Sequence, residues 1–362
     1  MKQIDPNKTI HCLVVGENAP GKAIDDALLF HLPLYERDNE KRTRISVVFP
    51  TRDLMEDFMF EYKELLDNSF YRIVHLKDEQ VESRLHRPQY YGLRKDFVDV
   101  EWELIIGKLS HPALQQKISK WSADPMQNLL IQLCYADEEK SRTYSKKLQR
   151  RLPENVTIEV VAPDAQPEDS EEEMNLLMAK CLNYCYKRSF EDGKIPVELP
   201  WEEVEKAWDE IPDETNRMSN LYNVATIPFK MLIAGHDRED WEKFYALTSE
   251  EIEGLTAVEH NRWSVERLIQ GMRPCNDEER EEIEEDFRKR AQDEAYAATN
   301  PLTLKKRYAR ERGAHYDLQA YSSLGTDETG LPVSRYDRDL TMAIPLIVKT
   351  ASDRMKQLNE KS

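Results

Sequence analysis

Between residues 10 and 162, short apolar runs alternate with helix-length segments. His11–Val15, Arg44–Phe49, Tyr71–Leu76, Leu129–Cys134 and Val156–Val161 read as strands. Leu54–Leu66 and Glu138–Arg151 read as helices between them. Parallel strands joined through helices pack back onto one sheet only by right-handed crossovers, so this spacing predicts a mostly parallel α/β sheet. Residues 78–110 fit the pattern less well and hold an insertion, a helical hairpin or an extra strand near Val98–Ile106.

Beyond the proline- and acid-rich stretch Ala162–Glu173, which reads as a linker, the pattern is helical. Met174–Arg188, Trp201–Trp208 and Asn216–Ala234 are helical segments. Thr248 with Glu251, and Asn276 with Glu279, have the spacing of capping boxes that open two further helices. The second of these, Asp277–Ala298, is highly charged and reads as a solvated arm.

The helix opened at Thr248 carries the most informative stripe. At 100° per residue, Val258, Val265, Leu268, Ile269 and Met272 form a core face. His260, Trp263, Arg267 and Gly271 fall on the other side. A tryptophan, a histidine and an arginine opposite a core face need a second partner, either more protein or a flat anionic ligand.

The stretch Glu259-His260-Asn261-Arg262-Trp263 followed by Glu266-Arg267-Leu268-Ile269-Gln270-Gly271-Met272 resembles the first half of the RyR domain, the module named after ryanodine receptors. His315-Tyr316-Asp317-Leu318-Gln319-Ala320-Tyr321 is similar to that family's H-P-x-L-x-P-Y segment. Leu331–Val348, with Arg335-Tyr336-Asp337-Arg338 and Ile344-Pro345, is similar to its closing helix. Met272 stands where a second tryptophan is usual, and Tyr316 and Ala320 replace prolines. Asn216-Arg217 and Lys230 extend the resemblance back toward Trp201. It implies a helical C-terminal module that binds a nucleotide-derived ligand without a common reaction. It also connects the chain with nucleotide-signalled antiviral defence in bacteria.

The residues suit that expectation. Trp263 and Tyr321 offer flat faces for a base, and Arg262, Arg267, Arg335 and Arg338 offer forked donors for phosphate. His260 and Asp337 have the chemistry to orient a ribose or base edge. Each also has a structural reading: Trp263 packs on the second half of the module, and Arg262 pairs with a carboxylate such as Glu259, one turn away.

Gly16-Glu17-Asn18-Ala19-Pro20-Gly21 follows the first strand with the spacing of the dinucleotide fingerprint. Asn18 replaces the central glycine, and strand two ends in Phe49-Pro50-Thr51-Arg52 rather than in a ribose-binding acid. Gly16, Asn18, Gly21 and Arg52 are the candidate cofactor residues. Both changes disfavour NAD in its usual pose, leaving another nucleotide or a structural role. The layout resembles the TrkA-N domains of potassium-transport regulators.

These observations define three segments: a Rossmann-like α/β domain over 1–165, a helical bridging region over 166–245 and a mostly α-helical RyR-type domain over 246–362. A net charge of −18 argues against nonspecific nucleic-acid binding, which needs a basic surface. No membrane span or signal peptide is expected, and the five cysteines show no disulfide framework, which fits a cytoplasmic protein. Cys181 and Cys185, one helical turn apart, read as buried thiols. No G-x-S-x-G elbow, Walker loop or zincin helix appears, and Cys134 at a strand end reads as core. The expected function is a non-catalytic, homo-oligomeric sensor of a small nucleotide-like ligand. The alternatives are a nucleotide-processing enzyme using the Rossmann-like cleft and a soluble regulator of potassium transport.

Overall fold

The computed structural model describes residues 8–30, 43–76, 85–87, 100–161, 169–192, 194–234, 247–326 and 330–360. The chain divides into two compact units, Met1–Ala165 and Gln166–Ser362.

The first unit runs β1 (Thr9–Val15), α1 (Ala19–Phe30), β2 (Thr43–Phe49), α2 (Arg52–Glu61), α3 (Lys63–Asp67), β3 (Phe70–His75), β4 (Val100–Ile106), α4 (Pro112–Ser122), β5 (Gln127–Leu133), α5 (Glu138–Gln149) and β6 (Thr157–Val160). Its strands form one sheet in the order β3-β4-β2-β1-β5-β6, and every pairing between them is parallel. The central strands β1, β2 and β5 are buried along nearly their whole length. That burial requires cover on both faces and explains their continuous apolar runs. The order reverses direction between β1 and β5, which opens a crevice at their carboxyl ends.

Two details differ from the sequence pattern. The expected helix Leu54–Leu66 breaks at Tyr62 into α2 and α3; the rings of Phe49, Tyr62 and Trp102 all gather on Phe58 there. The extra strand near Val98–Ile106 is β4, inserted between β2 and β3. Much of the stretch expected to hold an insertion, and residues 162–168 of the expected linker, lie outside the described residues.

The second unit is largely helical: α6 (Asp169–Asp192), α7 (Trp201–Asp209), α8 (Glu214–Ala225), α9 (Ile227–Ile233), α10 (Ser249–Ile269), α11 (Asp277–Gln292), α12 (Glu294–Thr299), α13 (Leu304–Arg312) and α14 (Arg335–Asn359). Two-residue strands β7 (Arg273–Pro274) and β8 (Ala314–His315) pair in parallel, and Tyr321–Ser323 forms a 3-10 turn. One hydrophobic cluster joins Leu182 of α6, Val204 of α7, Val224 of α8, Leu255 of α10 and Ile347 of α14. The segments 166–245 and 246–362 therefore share a core. A smaller cluster of Cys275, Ile283, Tyr308, Ala314 and Tyr316 packs α11, α13 and β8.

Both capping boxes are formed. The stretch Asn216–Ala234 splits into α8 and α9, because Pro228 has no N–H to continue the first helix. The charged stretch Asp277–Ala298 splits at Asp293, whose carboxylate caps α12. Nor is α11 a solvated arm all round: Glu279, Ile283 and Asp286 are buried on its inner face. Among the described residues, no helix is long and apolar enough to cross a membrane.

Candidate functional site

Helix α10 is buried around almost its whole circumference, from Ile252 to Leu268. Its polar side chains must therefore find partners inside the protein, since a buried charge without one is costly. Glu259, 2% exposed, accepts from Lys230 Nζ (2.7 Å), Asn223 Nδ2 (2.7 Å) and Arg262 Nε (3.0 Å). Arg262 Nη1 donates to Glu266 (2.6 Å), which also accepts from Ser219 Oγ (3.0 Å). Two cations and two carboxylates thus balance in one buried network. Burial opposes the charge on both Glu259 and Arg262, but the opposite charges around them outweigh it. The acid's pKa is held down and the guanidinium's is held up. Arg262 therefore pairs within α10, and the two carboxylates it holds bind Asn223 and Ser219 of α8 and Lys230 of α9.

His260 is also enclosed, at 2% exposed. Its Nε2 lies 2.9 Å from the Gln319 carbonyl, and its Nδ1 lies 3.3 Å from Asp337 Oδ2. A carbonyl only accepts, so Nε2 carries a proton. Nδ1 and Asp337 then share one further proton, as imidazolium with carboxylate or as imidazole with carboxylic acid. Burial works against a charged His260, but the Asp337 bond and charge prevail and raise its pKa. Burial raises the Asp337 carboxyl as well, against the pull of His260. The partner that the stripe demands of His260 is therefore protein.

Trp263 and Arg267 continue the stripe and are only partly covered. Three groups contact the Trp263 ring: His260 (centroids 5.7 Å apart), His315 edge-on (4.9 Å) and the Arg267 guanidinium over its face (5.6 Å). Burial lowers the His315 pKa to about 4, and its Nδ1 accepts the Asp317 backbone N–H, so that ring is neutral. Arg267 donates from Nη1 to Gln270 (2.9 Å), a neutral partner. Its Nε is buried and meets no acceptor among the described residues. Burial lowers its pKa, Glu266 pulls it up and Arg262 pushes it down. Arg267 is thus a partly desolvated cation whose hydrogen-bonding capacity is not filled.

Beside it stand rings that the sequence reading did not single out. Tyr186 and Phe190 lie one turn apart on α6, and both contact the ring of Tyr336 on α14 (5.9 and 6.1 Å). Tyr186 is 45% exposed and Phe190 is 54% exposed. Even so, desolvation pushes the Tyr186 hydroxyl up to about 12, with Tyr336, Asp337, Arg267 and Asp317 all within its electrostatic reach. Arg335 covers the other part of Tyr336, with its guanidinium 4.6 Å from the ring centre.

Tyr321 and Arg338 meet through Glu253, which accepts from the Tyr321 hydroxyl (2.6 Å) and from Arg338 Nη1 (3.1 Å). The Tyr321 ring also sits 6.0 Å from His260. Six of the seven expected ligand residues of the second unit, His260, Trp263, Arg267, Tyr321, Asp337 and Arg338, are therefore linked through one set of contacts, while Arg335 rests on Tyr336. Within it, His260 and Asp337 serve each other, and Arg338 is already paired.

The four expected cofactor residues lie in the first unit. Gly16 sits at φ +136°, and a Cβ there would lie 2.3 Å from the Cys134 carbonyl. This glycine lets two loops of the crevice touch. The Asn18 N–H donates to the Cys134 carbonyl (3.0 Å), and Glu17 accepts from the Ala136 N–H (3.1 Å) and Lys140 Nζ (3.0 Å). Gly21 lies in α1 with open space where a Cβ would go. Arg52, in the first turn of α2, donates to Glu56 one turn on (2.7 Å). Cys134 is buried, and desolvation raises its thiol to about 12, so it does not carry an activated thiolate.

Cys181 and Cys185 are buried free thiols in the helical core. Among the described residues, no group of three or more His, Cys, Asp or Glu is placed to hold a metal ion. No protein-family model matches the chain, and no curated protein or solved structure matches it.

Proposed function

We propose that the second unit is a binding module of the RyR type that takes a small nucleotide-derived ligand at the Trp263–Arg267–Tyr186 cluster and acts as a sensor. Arg267 carries this reading. It is a partly desolvated guanidinium with one neutral hydrogen-bond partner, set beside open aromatic rings. An anionic group would relieve its desolvation, and a flat ring would cover the neighbouring aromatics. The spacing shared with the RyR motif supports the same reading from the sequence side. His260, Asp337 and Arg262 enter as residues that fix the position of α10 and α14, not as ligand contacts. Binding transmits a signal only if two states of the protein differ in affinity for the ligand.

The experiment is a thermal-shift panel of ATP, ADP-ribose, NAD, NADP and cyclic di- and oligonucleotides. A ligand at ~100 times its dissociation constant stabilises the folded state by about 2.7 kcal/mol. The reading expects at least one class to raise the melting temperature. No shift with any of them counts against it.

A further inference from the structure

We infer that the stacking platform for a base is the pair Tyr186 and Phe190 of α6, backed by Tyr336, and not the Trp263–Tyr321 pair that the motif suggests. This rests on the nucleotide reading above and names the residues and ring chemistry of that same site.

His260, His315 and Arg267 already contact the Trp263 ring. Tyr321 is tied by its hydroxyl to Glu253 and by its ring to His260. Both of these rings are spent on the protein itself. Phe190 is 54% exposed and Tyr186 is 45% exposed, and the ring contact of each is with Tyr336. Exposed aromatics at adjacent turns cost the protein apolar contact with water, and the Tyr336 ring, tilted against Tyr186 and stacked on Phe190, holds them in place. Arg267, Asp337 and Asp317 lie within electrostatic reach of the Tyr186 hydroxyl, but Asp337 is paired with His260 and Asp317 with Lys305, and the Arg335 guanidinium rests on Tyr336. The ledge is therefore flanked by positive charge on a chain whose net charge is −18. An apolar partner alone has no use for that charge. A flat ring joined to a phosphate matches both features, which selects a nucleoside phosphate over a free base or nucleoside.

The test uses 2-aminopurine riboside 5′-monophosphate with the full-length protein, because stacking on an aromatic side chain quenches its fluorescence and binding raises its anisotropy. Quenching on wild type is expected, with affinity about tenfold weaker in Phe190→Ala. The same probe without its phosphate, 2-aminopurine riboside, is expected to bind much more weakly. Unchanged melting temperatures establish that the variants are folded. If Phe190→Ala and Tyr186→Ala both bind and quench normally while Arg267→Ala does not bind, the ledge is refuted and the nucleotide site stands. If the nucleotide causes no anisotropy change on wild type, both the ledge and the site it rests on are overturned.

Discussion

Replacing Lys230 by methionine removes one ammonium from the buried network and keeps most of the side chain's length. Lys230 is 1% exposed and donates to Glu259 (2.7 Å) and Asn223 Oδ1 (3.0 Å). The substitution turns a balanced set of two cations and two carboxylates into one with a net negative charge. It also leaves the Asn223 oxygen without its donor. Breaking a buried pair by removing one partner costs about 3–5 kcal/mol, of which an orphaned buried acceptor accounts for about 1–3 kcal/mol. Lys230→Met is therefore expected to destabilise the second unit by about 4 kcal/mol. An exposed pair such as Lys140–Glu17 contributes under about 1 kcal/mol.

Adding Glu259→Gln restores neutrality, since Arg262 and Glu266 still pair. The double variant should recover about 2 kcal/mol relative to the sum of the single changes. With two units in the chain, a single unfolding transition is not assured, so the assay is hydrogen exchange at the α10 amides, which reads the second unit by itself. A loss below about 1 kcal/mol in Lys230→Met, or simple additivity in the double variant, would refute the account of this network.

Two further outcomes follow from the geometry. His260 has a raised pKa in the folded state, so the stability it contributes is fully present below its unfolded pKa near 6.5 and is lost as pH rises through the raised value. Asp337, also raised, acts in the same direction. Melting temperatures between about pH 6 and 9 should therefore fall less steeply in His260→Gln than in wild type, and an identical slope would contradict the shared proton. Gly16→Ala should destabilise the first unit by on the order of 3 kcal/mol, because its Cβ would meet the Cys134 carbonyl at 2.3 Å, while Gly21→Ala should fold normally by circular dichroism.

Much of the fold was legible in local pattern. Parallel strands buried on both faces appear as nearly unbroken apolar runs, so β1, β2 and β5 could be located from residue type, and the edge strands β3 and β6 from their spacing between helices. The capping boxes at Thr248 and Asn276 are local spacings, and both formed. The insertion of β4 between β2 and β3 is a long-range pairing that no window of sequence contains. The site divides the same way. The stripe His260, Trp263, Arg267 was visible as helical phase, but its occupants were not. Gln319 and Asp337 reach His260 from distant segments. Tyr186 and Phe190 are exposed on α6, and nothing local marks that Tyr336 arrives beside them. Lys230 was noted only as part of a motif, and its burial against Glu259 depends on how α9 meets α10.

The central claim is that a nucleotide-derived ligand binds in the second unit and that Arg267 holds its anionic group. Isothermal titration with the strongest nucleotide from the thermal panel, on wild type, Arg267→Ala and Arg52→Ala, tests it most directly. The account predicts that binding is lost in Arg267→Ala and unchanged in Arg52→Ala, with all three proteins folded. Binding that survives Arg267→Ala and disappears in Arg52→Ala would contradict it and place the ligand at the crevice of the first unit.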